Sequence, residues 1–352
     1  MPWSISPMKE FVRDLASRAV VSCGLSSMGR GLRRHEGAFI LYGHRFSDDD
    51  DGYLQGLRPA WFDDQVAYLT RHYEVIPLKT LIDCLEQRRA VPARSVVLTF
   101  DDGFRDNLEN AVPILERYRV PATIFVVTRS LTNGELPWSQ RLGVIFQQTC
   151  NHQVSHPQLG EQPAPLNDSH QRRAAYQRIK LGIAPLQREA RDSIITGLAN
   201  QLGVEPPLDQ MLSWEDARLL QASGVEIGGH SYSHALLGQV PIAEACHEIR
   251  RCREELRDHL GLEAAPFCLP GGSYSDDVIR CIKQTGFRSC FIPNQQKRYN
   301  TVVNTTLFTL SRLGLPNAPS HHLEAELDGP FHPLRECCHW LQGGYRSLSP
   351  SP

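Results

Sequence analysis

The strongest constraint on the fold of this 352-residue chain is a repeated pairing of a short apolar run with a polar string that follows it. Val96-Val97-Leu98-Thr99-Phe100 runs into Asp101-Asp102-Gly103. Val225-Glu226-Ile227 runs into Gly228-Gly229 and then His230-Ser231-Tyr232-Ser233-His234. Phe267-Cys268-Leu269-Pro270 runs into Gly271-Gly272. Such runs, bounded by turn residues, read as short buried strands. Helical patterns are predicted over 59–72, 78–88, 106–118, 213–222, 242–260 and 276–285. Strand–helix alternation, with reactive residues at strand C-terminal ends, predicts an α/β fold: a distorted or incomplete TIM-like (β/α) barrel.

The three strings supply two carboxylates, two imidazoles and a glycine turn. Adjacent side chains diverge at a strand end, so one aspartate can bind a cation while the other faces a water. Asp-Asp-Gly is also ordinary turn and capping chemistry. His230 and His234 are four apart, and one helical turn would bring both rings to one side. That spacing is familiar in metal pairs, although two surface-loop histidines are the simpler reading. Gly228-Gly229 is expected to turn the chain into the pair. Gly271 and Gly272 would let backbone approach a substrate closely. One aspartate and two histidines leave coordination positions open, which suits catalysis more than structure. Ligand chemistry alone allows a hydrolytic zinc-type site or the two-His-one-carboxylate site of non-haem iron oxygenases. The spare aspartate favours hydrolysis, which needs a base beside its water. Alternating strands and helices also do not suit an all-β oxygenase barrel.

In these residues the chain resembles the polysaccharide deacetylase family, the NodB-homology or family-4 carbohydrate esterases. Thr99-Phe100-Asp101-Asp102-Gly103 matches its first motif in full, and His230-Ser231-Tyr232-Ser233-His234 its second, His-Ser/Thr-x-x-His. The similarity extends from about Phe39 to Phe291. Ala122-Thr123-Ile124-Phe125-Val126 resembles the family's next strand, and Leu212-Ser213-Trp214 the run-up to its histidines. The resemblance implies a NodB-type barrel with Asp101 as general base. It implies Asp102, His230 and His234 as ligands of a divalent metal, zinc first, with nickel, cobalt or iron as alternatives.

Two departures from the family pattern matter. Cys268 stands where many members have arginine, so another residue must orient Asp101. Arg141 is the candidate, in Pro137-Trp138-Ser139-Gln140-Arg141-Leu142, which resembles a Trp-Trp-Asp-Arg-Leu segment of relatives. Trp138, Pro270, Gly271 and Gly272 are the candidates for substrate and oxyanion contacts. Many members also carry a late Leu-x-His strand whose histidine is the catalytic acid. No good copy follows residue 290, and His321-His322 reads as an exposed helix start. Phe39-Ile40-Leu41-Tyr42-Gly43-His44-Arg45 instead resembles the Tyr-His-Arg string of the permuted branch, which includes poly-N-acetylglucosamine deacetylases. That resemblance makes His44 the expected acid; a structural hydrogen bond at a strand end is the simpler reading.

Composition narrows the remaining choices. The chain is 41% hydrophobic and 22% charged with a net charge of −2, which gives no reason to expect a nucleic-acid partner. No run of ~18 apolar residues predicts a spanning helix. The ten cysteines contain no Cys-x-x-Cys pair, and Cys84 and Cys281 fall on apolar helix faces, so they read as reduced core residues. Ala19-Val20-Val21 is too short for a signal peptide, and a cytoplasmic location is the expectation. Within an N-terminal segment, 1–35, residues 8–34 form a basic amphipathic stretch. It reads as a helix docked on the domain or as a weak anchor to an anionic membrane face. The main domain is expected over 36–335, with a helical insertion at 150–211 near the active-site mouth. A partly disordered tail is expected over 336–352.

The function expected from these readings is a metal-dependent hydrolase that removes N-acetyl groups from an amino-sugar glycan or lipid-linked sugar. Asp101 would take the proton of a water, His44 would protonate the leaving nitrogen, and backbone N–H groups near Gly271-Gly272 would help hold the oxyanion. The competing class is a glycan-binding module that keeps its metal site without turnover. Asp101 speaks against it, since a ligand set does not need that residue.

Overall fold

The computed structural model describes residues 7–32, 37–48, 56–292 and 299–329. The expected tail at 336–352 lies outside the described residues. Nine strands make one sheet: β1 (Ala38–Gly43), β2 (Glu74–Val75), β3 (Ser95–Phe100), β4 (Thr123–Val126), β5 (Glu226–Gly229), β6 (Pro266–Cys268), β7 (Ser289–Phe291), β8 (Tyr299–Asn300) and β9 (Leu313–Gly314). Their order is β7-β6-β5-β4-β3-β1-β8, with β2 on β3 and β9 on β1. The pairings are parallel except β1 with β8. Phe291 at the end of β7 bridges to Leu310, and a few residues later β9 lies along β1. The stretch 310–314 therefore spans the gap between the sheet's two ends and curls it into a distorted barrel.

Helices fill the connections: α1 (Pro7–Ser22), α2 (Leu25–Leu32), α3 (Pro59–His72), α4 (Leu78–Glu86), α5 (Val112–Tyr118), α6 (Thr128–Asn133), α7 (Trp138–Gln148), α8 (Ser169–Ile183), α9 (Arg188–Leu202), α10 (Trp214–Ala222), α11 (Ile242–Leu260), α12 (Asp276–Thr285) and α13 (Ser320–Leu327). Local chemistry sets several ends. Proline opens α3, where its missing N–H costs nothing. Ser213 and Asp216 cap α10 reciprocally. Gly261 and Gly286, both at positive φ, close α11 and α12.

Every residue of β3 is buried, as expected of a parallel strand covered on both faces. One face packs Val96, Leu98 and Phe100 against Phe62, Leu115 and their neighbours. On the other face Val97 joins Ile40, Phe125, Cys268, Phe291 and Leu310 in the barrel interior. A second apolar cluster lies beside the first, with Ile179 and Ile183 of α8 and Ile195 and Leu198 of α9 packed on Leu142 and Phe146 of α7.

Three local expectations are corrected. Gly228 and Gly229 do not form a turn; they are the last residues of β5. Glycine is required there by space, because a Cβ on Gly228 would lie 2.5 Å from the Phe125 ring and one on Gly229 2.9 Å from Cys252 Sγ. Cys246 and Cys281 are not reduced but form a disulfide between α11 and α12, with Cα atoms 5.9 Å apart. The pair joins two helices 35 residues apart in sequence, a separation that no local spacing rule encodes. Lastly, His322 is not exposed at the start of α13 but buried under α1.

α1 docks on α13 through Asp14, Ser17 and Val20. Its other face leaves Phe11, Val12 and Leu15 more than half exposed. Among the described residues no helix is long and apolar enough to cross a membrane.

Candidate active site

The candidate residues meet at the C-terminal ends of β1, β3, β5 and β6. The ladder continues into the site: the Asp101 N–H donates to Gly43 O at 3.0 Å, and the His230 N–H to Val126 O at 2.9 Å. These bonds fix the first residue of each polar string in register with the neighbouring strand.

Asp102 and the histidines reach one point by bent backbone. The expected helical turn at 230–234 is absent; the segment is an irregular loop. Asp102, Ser231 and His234 have φ values of 74°, 62° and 61°, and they are three of the six non-glycine residues at positive φ among the described residues. Such a conformation costs on the order of 1–3 kcal/mol per residue and persists only where the surroundings impose it. In the 230–234 loop, buried Glu248 of α11 imposes it. Its carboxylate accepts the Ser233 N–H at 2.7 Å and the Ser233 hydroxyl at 2.6 Å. Arg191 of α9 donates to the same hydroxyl at 3.4 Å, and the Trp138 indole N–H donates to His234 O at 2.9 Å. Trp138 is thus buried beneath the loop, with its one polar atom committed to it.

His230 Nε2 and His234 Nε2 stand 3.4 and 3.1 Å from Asp102 Oδ1. All three residues are buried. The site passes a direct test of fit for a cation. Asp102 Oδ1 has no hydrogen-bond partner, a costly state for a buried carboxylate oxygen. Ligand atoms ~2.1 Å from one ion in a tetrahedral shell stand roughly 3.4 Å apart, close to the separations observed. Outer contacts match at His230 and Asp102, while His234 Nδ1 has no hydrogen-bond partner. His230 Nδ1 lies 2.8 Å from Cys268 O, and a proton on that nitrogen frees Nε2 for an ion. The Gln140 amide donates to Asp102 Oδ2 at 3.0 Å, leaving Oδ1 to point inward.

Asp101 is held differently. Both its oxygens accept from Arg312, Nη1 to Oδ1 and Nη2 to Oδ2, each at 2.7 Å. Arg312 also places Nη2 2.9 Å from Cys268 Sγ and lies over the Tyr42 ring at 4.6 Å. Burial pushes the Asp101 carboxyl upward in pKa, but Arg312 outweighs it and leaves the group below its ordinary value. Burial likewise raises the Cys268 thiol, which fits a neutral neighbour to the guanidinium.

Arg312 is the residue the sequence reading missed. Arg141 does not reach Asp101; it pairs with Glu135 at 2.7 Å and Asp192 at 3.5 Å. The small Cys268 side chain leaves room in the barrel interior, and the closing stretch 310–314 brings a guanidinium into it from another part of the chain. A signal existed: Arg312 is a lone charge inside Leu310-Ser311-Arg312-Leu313-Gly314-Leu315.

His44 follows β1, and its Nε2 lies 3.9 Å from Asp101 Oδ2, too far for a hydrogen bond. Its side chain is 40% exposed, against 4% for that of Asp101, so the ring faces the open side of the site. Asn107 anchors its backbone by donating to His44 O at 2.8 Å. His321 and His322 lie elsewhere, against Asp14. Pro270, Gly271 and Gly272 form a tight turn after β6, with φ of 57° and 65° at the two glycines. The Gly272 N–H closes this turn onto Leu269 O at 3.0 Å and is not available to an oxyanion. Pro270 has no N–H to offer, which leaves Gly271 of the three.

The polysaccharide deacetylase family model matches residues 88–184 and 190–290. The chain belongs to the polysaccharide deacetylase family. Among curated relatives, the poly-beta-1,6-N-acetyl-D-glucosamine N-deacetylase of Staphylococcus aureus (strain MSSA476) is 37% identical over 84 residues, 24% of this chain and 29% of that protein. YxkH of Bacillus subtilis (strain 168) is 29% identical over 93 residues, 25% of this chain and 32% of that protein. The match therefore spans less than a third of the length of either relative. Among solved structures, Streptococcus pyogenes deacetylase PplD in complex with acetate superposes with a TM-score of 0.55 at 17% identity, covering 82% of this chain and 96% of that one. IcaB from Ammonifex degensii gives 0.54 at 18% identity, covering 83% and 98%. Both share the fold, a mixed α/β architecture with a curled sheet of the NodB type.

Proposed function

We propose that this polysaccharide deacetylase is a metal-dependent hydrolase that removes N-acetyl groups from an amino-sugar glycan or a lipid-linked sugar. The observation that carries this reading is the juxtaposition of an unpartnered Asp102 oxygen, two imidazoles aimed at it, and a second carboxylate beside it that the ligand set does not use. The partial match to a poly-N-acetylglucosamine deacetylase supports the amino-sugar class.

Asp102, His230 and His234 would hold the ion, with zinc as the first choice for one carboxylate and two imidazoles and nickel, cobalt or iron as alternatives. A divalent ion in that position supplies Lewis acidity toward an amide carbonyl and lowers the pKa of a water. Asp101 is the base that takes the water's proton. Arg312 keeps it charged and fixed, and each of its oxygens retains a lone pair for that proton. His44 gives a proton to the departing nitrogen, because an amine leaves an acyl carbon readily only when protonated. The reading of a binding module without turnover gives Asp101 and its buried arginine no task. An iron oxygenase would need no second carboxylate at this position.

The defining experiment is a screen of N-acetylated amino-sugar oligomers by mass spectrometry, with loss of single acetyl groups expected. Oxidation of the sugar or consumption of 2-oxoglutarate would point to the oxygenase instead. Two substitutions sort the roles. His44→Ala should lower turnover by roughly 10²–10⁴-fold, the usual worth of a general acid, with metal content unchanged by elemental analysis. Unaltered turnover would remove His44 from the reaction. Gln140→Ala should weaken ion binding by about 10–100-fold through its loss from Asp102, read by competition with a coloured chelator. Equal affinity would show that Asp102 is positioned without it.

Attachment to a membrane surface fits the same reading. Phe11, Val12 and Leu15 present an exposed apolar strip on α1, with Arg13 and Arg18 also exposed beside it. This is the pattern of a weakly bound interfacial helix. Co-sedimentation with anionic vesicles should fall when Phe11 and Leu15 are changed to serine. Equal sedimentation would exclude this face as the anchor.

A further inference from the structure

A second group of potential ligands lies away from the active site, where α1 meets α13. Asp14 Oδ1 is 2.8 Å from His321 Nε2 and 3.0 Å from His322 Nε2. The three ligand atoms lie within 4.8 Å of one another. Among the described residues, the other groups of this kind both contain His230. The cluster repeats the composition of the active-site set: one carboxylate oxygen faced by two imidazole Nε2 atoms, with ring centroids 4.5 Å apart here and 5.1 Å apart there.

We infer that Asp14, His321 and His322 form a second divalent-metal site, one that fastens α1 to α13. The outward-facing atoms of Asp14 and His322 are already held as ligands usually are. Arg18 Nε donates to Asp14 Oδ2 at 2.8 Å, which turns Oδ1 toward the histidines. His322 Nδ1 faces the Ser17 hydroxyl at 3.5 Å, so Nε2 is the nitrogen left to bind. Ligand atoms ~2.1 Å from one ion stand roughly 3.0–3.4 Å apart, depending on the angle between them. The observed 2.8 and 3.0 Å need to open by only a few tenths of an ångström. The Asp14 and His321 side chains are 35% and 20% exposed, which leaves an entry path and room for water to complete the shell. A late first-row ion such as zinc or cobalt suits two imidazoles and one carboxylate. Without an ion, two ring N–H groups simply share one carboxylate oxygen, and the helices are joined by hydrogen bonds alone.

Cobalt(II) separates the two arrangements. The full chain, freed of metal and dialysed against Co²⁺, is expected to take up two ions per chain. His321→Ala and Asp14→Ala should each reduce this to one, and His234→Ala should reduce it to one by removing the other ion. In the His234→Ala chain the remaining ion should protect α1 from limited proteolysis. Saturation of the unmodified chain at one ion, retained in Asp14→Ala and lost in His234→Ala, would overturn the proposal. So would two ions that both survive Asp14→Ala and His321→Ala. The count on the unmodified chain does not depend on how any variant folds.

Discussion

Asp101→Asn is expected to keep the fold and the bound ion and to lose about 10²–10⁴-fold in turnover. The amide has nearly the same shape, and its oxygen can still accept from one Arg312 nitrogen. Its NH2 group faces the other donor and the counter-charge is lost, so the variant stays folded at reduced stability. Asp102, His230 and His234 are untouched. What disappears is the ability to accept the water's proton. Steady-state acetate release, set beside metal content and circular dichroism, checks the three parts together. A variant with near-normal turnover would take the base role away from Asp101. Equal loss of metal and activity would make Asp101 a ligand.

Arg312→Met should have the largest effect on stability. Asp101 is buried, and Arg312 accounts for a hydrogen bond to each of its oxygens. Removing one partner of a buried ion pair typically costs about 3–5 kcal/mol, because the other charge is left without compensation. The expected outcome is a loss of that size in chemical denaturation, together with near-complete loss of turnover. The double variant Asp101→Asn with Arg312→Met should recover part of the stability but none of the activity. Its coupling separates the pair from simple loss of packing. The sign of the pH dependence follows from the lowered Asp101 pKa. A carboxylate held below its unfolded value stabilises the fold above that unfolded value, and the contribution disappears as the pH falls through the lowered one. Arg312→Met should therefore lose less stability in acid than at neutral pH. A cost below about 1 kcal/mol at neutral pH would mean that the pair is not the buried bidentate contact described.

How far the sequence could be read depended on whether the information was local. Predicted spans at 59–72, 242–260 and 276–285 coincide with α3, α11 and α12, because a long amphipathic period and its caps lie within the segment itself. The strand preceding Asp101 was legible for a similar reason: Val96 to Phe100 is an unbroken apolar and β-branched run. The histidine pair was legible as chemistry and misread as geometry. A spacing of four suggests a helical turn, but the convergence comes from left-handed backbone at Ser231 and His234, fixed by Glu248 of the following helix, 15 residues beyond Ser233. Arg312 lies 211 residues from Asp101 and precedes a strand of only two residues, so no periodic pattern marks it. Cys246 and Cys281 are brought together by the packing of α11 on α12, which spacing alone does not contain. In each of these cases the missing information was which distant segments share the barrel's interior or its helical shell.

The proposed reaction needs a water activated beside Asp101 at an ion that Asp102, His230 and His234 would hold. The most direct test is acetate release from N-acetylglucosamine oligomers by the full chain, followed with the appearance of free amine. Acetate and amine are expected in equal amounts, both abolished by a chelator and both restored by zinc or cobalt. Acetate release that persists in the chelated protein, or in Asp101→Asn, would contradict the account.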